Sequence, residues 1–242
     1  MNESSAAGHR TVSRVMAILE AAAATRQGVT LSALTTLLDA PKSSVHGLVK
    51  GLVATGYLEE SGRSYTIGPA VDMLIARGTS SVMASAHRTL ETLVQTFAES
   101  ATLCKLVGED VVYVDIVEST QPIRYSAPLR VRRPLYPTSA GKCFLAHMTP
   151  GRRDAYLRAN LPPHRAPEVL AELEAVFRDG YSTNHGETVP DVFAVSSPII
   201  AAGRVVACLQ VAGPSSRMAE RMDEIARTVR AEAQRLSQRA RG

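Results

Sequence analysis

Two groups of residues in this 242-residue chain have types and spacings that could do chemistry. The first is Lys42, Ser43, Ser44, His46 and Lys50, cations and small polar groups along one side of a helical run. The other side of that run is an apolar stripe, with Val45, Leu48, Val49 and Leu52 at i, i+3, i+4 and i+7. A helix with such an outer face can enter a DNA major groove, with cations on phosphates and short polar groups on base edges. The second group is Pro137-Thr138-Ser139-Ala140-Gly141, small residues opening a helix. Helix N-termini present free N–H donors and a positive dipole end, which together suit a metabolite carboxylate. Ordinary helix capping accounts for the same residues equally well.

Other reactive side chains are scattered. Cys143 and His147 stand four apart and would share a helix face, but no third or fourth ligand lies near them in sequence. Cys104, Cys143 and Cys208 are far apart and odd in number, which supports neither a disulfide framework nor a zinc site. His164 sits between prolines and arginine in a loop-like run, and His185 lies in the turn-forming Asn184-His185-Gly186-Glu187. No catalytic residue, metal or cofactor is therefore expected.

Composition narrows the class. Hydrophobic residues make up 45% and charged residues 21%, as in a soluble globular protein, with a net charge of +4. Residues 1–78 carry seven Lys or Arg against six acids, so DNA affinity must come from local placement and doubled sites rather than from a basic field. The first ten residues lack an apolar signal core, and no run reaches the length of a membrane helix, so a cytoplasmic location with no membrane partner is expected.

The elements that must hold these residues follow from periodicity. Residues 1–9 read as a disordered arm, and 12–24 as a helix with Val12, Val15, Met16 and Leu19 inward. A short helix at 31–38 and the tight Asp39-Ala40-Pro41 connection precede the Lys42–Lys50 run, which Gly56 stops. Strands at 57–60 and 64–67 flank Ser61-Gly62-Arg63, a hairpin that puts Arg63 at a wing tip. Pro69 opens a linker helix that ends near residue 80. Beyond it, helices are expected at 83–99, 139–148, 151–159, 167–178 and from 214 onward. Strands are expected at 102–107, 111–117, 123–126, 180–183, 193–200 and 205–211. Strands and helices interleave around one sheet, an α+β or α/β arrangement, and with the N-terminal helices and hairpin the whole chain reads as α+β.

Three blocks give the chain a wider likeness: residues 41–58, residues 134–146, and residues 180–214 with Ser196-Ser197-Pro198-Ile199 at their centre. Together they resemble the IclR family of bacterial transcription regulators over about residues 10–237. The resemblance implies a winged helix-turn-helix at 10–68, a linker helix at 69–80 and a GAF-like α/β effector-binding domain at 81–242. It implies a homodimer or tetramer that acts on a palindromic double-stranded operator and senses a small-molecule effector. By that resemblance the effector-lining positions are Tyr125, Ser139, Ala140, Asn184, Ala194, Gln210 and Ala212. The family commonly has Arg where this chain has Gly47, and Asp, Cys and Ser at several lining positions, which points to a different ligand. A repressor answering to an organic or aromatic acid is the expected function. The alternative is a sensor-domain enzyme or small-molecule-binding protein whose helix-turn-helix is structural.

Overall fold

The computed structural model describes residues 3–25, 27–71 and 81–240, with side chains described at 10–25, 27–71 and 85–240. The chain divides into two compact units, residues 1–79 and 80–242. From residue 72 on, the expected linker helix lies outside the described residues.

In the first unit, helix α1 (Glu3–Ala23) starts inside the stretch expected to be a disordered arm. Its inward face is also rotated from expectation: Ile18 and Ala22 are buried, whereas Val12 is 63% and Met16 49% exposed. The buried stripe is therefore Val15, Ile18, Leu19 and Ala22, which still keeps the 3.6-residue period. Strand β1 (Val29–Thr30) leads into α2 (Leu31–Leu38), whose first turn is capped by Thr30 Oγ1 accepting from Ala33 N at 3.2 Å. Asp39 leaves α2 in the left-handed region at φ 42°. Helix α3 (Lys42–Ala54) then buries Val45, Val49 and Leu52 against α1 and α2 in one core. Gly56 (φ 75°) turns the chain into β2 (Leu58–Ser61), which pairs antiparallel with β3 (Ser64–Ile67) across a tight Gly62-Arg63 turn. The sheet order β1-β3-β2 makes this a winged helix-turn-helix.

The second unit is a six-stranded antiparallel sheet between two helical layers. Helix α4 (Ser81–Phe97) precedes β4 (Ser100–Val107), β5 (Asp110–Val117) and β6 (Arg132–Pro134). Next come α5 (Ser139–Ala146), α6 (Pro150–Asn160) and α7 (Ala166–Asp179), then β7 (Ser182–His185), β8 (Val192–Ala201) and β9 (Arg204–Pro214). The short α8 (Ser215–Met218) and long α9 (Met222–Arg239) close the chain. Strand order is β6-β5-β4-β9-β8-β7. Side chains alternate across a sheet, so Leu209 and Val211 join Leu90, Phe97 and Val229 in one core while Cys208 joins Phe144, Leu145 and Leu173 in the other. Glu99, buried at the end of α4, holds Arg217 of α8 through Nε at 2.5 Å and Nη2 at 2.8 Å.

One expected strand is misplaced. Residues 123–126 form no ladder, and Ile123 is 74% exposed. Pro122 and Pro128 bracket this run without N–H donors. It is tied down instead by side chains, with Ser100 Oγ donating to Tyr125 O at 2.6 Å and accepting from Ser119 N at 3.1 Å. The edge strand is β6, where Arg133 registers with Val111.

Candidate functional site

In the first unit, Lys42, Ser43, Ser44, His46, Gly47, Lys50 and Gly51 all lie exposed on α3, opposite the buried stripe. A side chain added at Gly47 or Gly51 would meet nothing within 4 Å, so packing demands neither glycine. Arg63 is exposed at the hairpin turn, and with Lys42 it lines a cleft of about 640 Å³ between α2, α3 and the hairpin. Neither Lys42 nor Arg63 pairs with a carboxylate among the described residues.

Lys50 is different. Its Nζ lies 2.6 Å from Glu60 Oε2, and Tyr65 OH donates to Glu60 Oε1 at 3.1 Å. The hydrogen bond from Lys50, then that from Tyr65, holds the Glu60 carboxyl below its ordinary range, so it stays charged. A phosphate that meets Lys50 competes with Glu60 for its charge. Glu60→Gln is therefore expected to tighten DNA binding and Lys50→Ala to weaken it, with the salt slope of the latter smaller by about one. Anisotropy titrations across salt concentrations check both; equal affinity of Glu60→Gln and the parent would mean that Lys50 does not meet the backbone.

In the second unit, the sheet and α5 enclose a small chamber. Pleating sends Ala194 and Ser196 of β8, and Gln210 and Ala212 of β9, to the α5 side, in register as Ala194↔Ala212 and Ser196↔Gln210. Ser139 Oγ lies 2.8 Å from Ser196 Oγ and 3.4 Å from Gln210 Oε1, while Gln210 Nε2 donates to Tyr113 OH at 3.2 Å. Burial pushes the Tyr113 phenol far above its usual range, so it remains a neutral donor and acceptor. Asn184 Nδ2 donates to Pro137 O at 2.8 Å and Thr188 Oγ1 at 2.9 Å. Thr102, the register partner of Gln210 on β4, carries a buried hydroxyl with no partner among the described residues.

Tyr125, Ser139, Asn184, Ala194, Gln210 and Ala212 all line this chamber. Ala140, expected beside them, does not: one residue further round α5 it is fully buried in the core with Cys143 and Phe144. The start of α5 is also occupied by its own cap, Thr138 Oγ1 accepting from Gly141 N at 3.1 Å. Thr138, from the small-residue run that opens α5, lines it too, while Tyr113, Thr188, Val189 and Val192 complete the lining and were not anticipated. The chamber holds about 20 Å³, room for about one water. An outer cleft of about 620 Å³ shares Tyr125, Val189 and Val192 with it and adds Ile123, Pro190 and Arg133.

Segment 186–191, which supplies Thr188 and Val189 to the wall, is held by a cation that sequence reasoning missed. Lys142 Nζ meets Glu187 Oε1 and Oε2 at 2.8 Å, Glu172 Oε1 at 2.6 Å and Thr183 O at 3.1 Å, and its side chain is 2% exposed. Tyr136 OH donates to Glu172 at 3.2 Å, and burial raises that phenol to about 12. A lone Lys within the otherwise uncharged Ser-Ala-Gly-Lys-Cys-Phe-Leu-Ala was the signal available in the sequence.

The thiols are set for packing. Cys143 Sγ lies 3.2 Å from Ser182 Oγ and 3.4 Å from Ser196 O, whereas His147 Nδ1 bonds the Cys143 carbonyl at 2.9 Å rather than the thiol. Burial raises the Cys104 and Cys208 thiols. His185 is exposed, edge-on to Phe193, and His164 is exposed in a short 3-10 turn.

Comparison with known proteins places both units. The description "Bacterial transcriptional regulator IclR C-terminal" matches residues 77–238, and "IclR helix-turn-helix domain" matches residues 11–62. SauR of Cupriavidus necator, named as a transcriptional regulator, is 31% identical over 228 residues, 88% of each chain. A crystal structure described as an IclR transcriptional regulator, from Silicibacter sp., superposes with a TM-score of 0.81 at 27% identity over 96% of each chain. An IclR homologue from Microbacterium hydrocarbonoxydans, crystallised with 4-hydroxybenzoate, gives a TM-score of 0.75 at 24% identity over 94% of this chain and 99% of that one.

Proposed function

This chain belongs to the IclR family of bacterial transcriptional regulators, and from that membership we propose that it is a repressor released from a palindromic operator by a small organic or aromatic acid. The observation that carries the effector half is the polar-floored chamber, where Ser139, Ser196, Gln210 and Asn184 converge beneath Tyr113 and Tyr125. The aromatic-acid class draws on the 4-hydroxybenzoate held by the Microbacterium homologue. Tyr125, Ser139, Asn184, Ala194, Gln210 and Ala212 contact the effector, with Ala140 backing the wall. Lys42, Ser43, Ser44, His46, Lys50 and Arg63 meet DNA, in a module at 10–68 joined through 69–80 to the effector module at 81–242.

Two copies of α3 in a homodimer or tetramer would read two half-sites, and effector binding would shift the population that fits their spacing. Repression is the simpler sign, since an operator-bound protein blocks transcription without needing a surface for polymerase. The protein works in the cytoplasm as a non-enzyme, in keeping with a relative named as a transcriptional regulator, and its three buried free thiols suit a reducing compartment. No helix among the described residues is long and apolar enough to cross a membrane.

Ala194→Leu tests the pocket. The added carbons fill a chamber of about 20 Å³, and overpacking of about 1–3 kcal/mol leaves the unit folded. Operator affinity without ligand is expected to match the parent, while release by ligand is lost. A variant that releases as the parent does would place the effector elsewhere.

A further inference from the structure

Arg133, on the edge strand β6, stands at the threshold between the chamber and the outer cleft. Its guanidinium carbon lies 4.0 Å over the ring of Tyr113, which lines the chamber, while Arg133 itself lines the cleft. Two hydrogen bonds fix the group: Nη1 donates to Val131 O and Nη2 to Pro128 O, each at 3.0 Å. A guanidinium has five N–H donors, so three remain. No carboxylate among the described residues pairs with it, although it is half-buried. The cleft's other cation, Arg124, is already tied to Glu118 at 2.9 Å. A half-desolvated cation held by two carbonyls, with no carboxylate on it, has donors left that an anion can use.

We propose that Arg133 binds the carboxylate of the effector at this threshold, with the body of the acid running from the outer cleft, against Ile123 and Val189, past Tyr125 into the mouth of the chamber. This rests on the reading of the second unit as an effector domain and assigns the charge recognition within it. The seat differs from the start of α5, where Thr138 already satisfies Gly141 N. The chemical class follows from the surroundings. One cation not already tied to a carboxylate, with Asp191 also on the cleft lining, suits a monoanion better than a phosphate dianion. The cleft of about 620 Å³ has the size of a small-molecule site, and its Ile123, Val189 and proline walls suit an aromatic or branched apolar body.

The test uses the full chain and matched probes: benzoate and 4-hydroxybenzoate against benzamide and 4-hydroxybenzamide, by calorimetry and thermal shift. At least one acid is expected to bind the parent about tenfold or more tightly than its amide, because only the acid gains the charge-assisted bidentate pair. Arg133→Gln should erase that preference by weakening acid binding far more than amide binding, and Arg133→Lys should retain part of it. No acid binding, equal binding of acid and amide, or a preference that survives in a folded Arg133→Gln would each overturn the proposal. Should Arg133→Gln fail to fold, Arg133→Lys decides: a preference undiminished there overturns it. Operator affinity measured with the same probes separates the two readings. Arg133-dependent binding that leaves DNA affinity unchanged keeps the anion seat and removes the effector role. Release from DNA that is identical in Arg133→Gln keeps the effector role and removes the seat.

Discussion

Gly141→Ala is expected to destabilise the second unit by upwards of about 3 kcal/mol, since its added methyl would make the closest approach of any at the described glycines. A Cβ at Gly141 would lie 1.8 Å from Leu135 O, 2.4 Å from its carbonyl carbon and 2.5 Å from its Cα. These are backbone atoms, so no rotamer change relieves the overlap. Leu135 is fully buried, and its carbonyl also accepts from Thr138 Oγ1 at 2.8 Å, which prevents the turn from moving aside cheaply. Helix α5 must lift, and Ser139 and Lys142 lift with it. For a unit of this size such a loss lowers the melting temperature by roughly 6–12 °C. Calorimetry or near-UV melting would show it; a melting temperature within two or three degrees of the parent would mean that α5 and residue 135 are not in close contact.

Lys142→Met is the second. The ammonium is buried, whereas the carboxylates of Glu172 and Glu187 are each 34% exposed. Removing the cation leaves two acids facing each other across the space that it filled. Losing one member of a buried ion cluster costs about 3–5 kcal/mol, and the partial exposure of both acids puts this case near the lower end. The cost should shrink when Glu187→Gln is combined with it, because the mutual repulsion of the two carboxylates is then removed. A double-mutant cycle in urea measures that coupling. Glu187 also anchors the segment that contributes Thr188 and Val189 to the chamber wall, so Lys142→Met should loosen ligand retention as well as stability. Additive costs in the cycle would contradict the hold of Lys142 on Glu187.

The helix-turn-helix was legible because its determinants are local. The spacing of Val45, Val49 and Leu52, the stop at Gly56 and the Gly62-Arg63 turn each act within one or two turns of chain. Strand pairs joined by short turns, such as β4–β5 and β8–β9, were legible for the same reason. What escaped depends on partners distant in sequence. Nothing near Lys50 announces that Glu60, on the far side of a glycine turn, will neutralise it. Lys142 finds Glu172 and Glu187 at 30 and 45 residues' distance, so its burial could be suspected from its apolar neighbours but not explained by them. The edge strand was misplaced because Ile123 and Tyr125 look strand-like while Pro122 and Pro128 deny the segment a ladder. The start of α1 was misjudged because small polar residues fit an arm and a helix equally.

The most direct test is effector-dependent operator binding by the intact chain. DNA that the protein itself selects from a random pool supplies the site, and anisotropy measures its affinity with and without whichever acid most raises the melting temperature. The account predicts enrichment of a palindrome, affinity that falls with salt, and a further fall of at least about tenfold when the acid is added, equivalent to about 1.4 kcal/mol of coupling between the two sites. Sequence-indifferent binding, or operator affinity that no stabilising ligand changes, would contradict it.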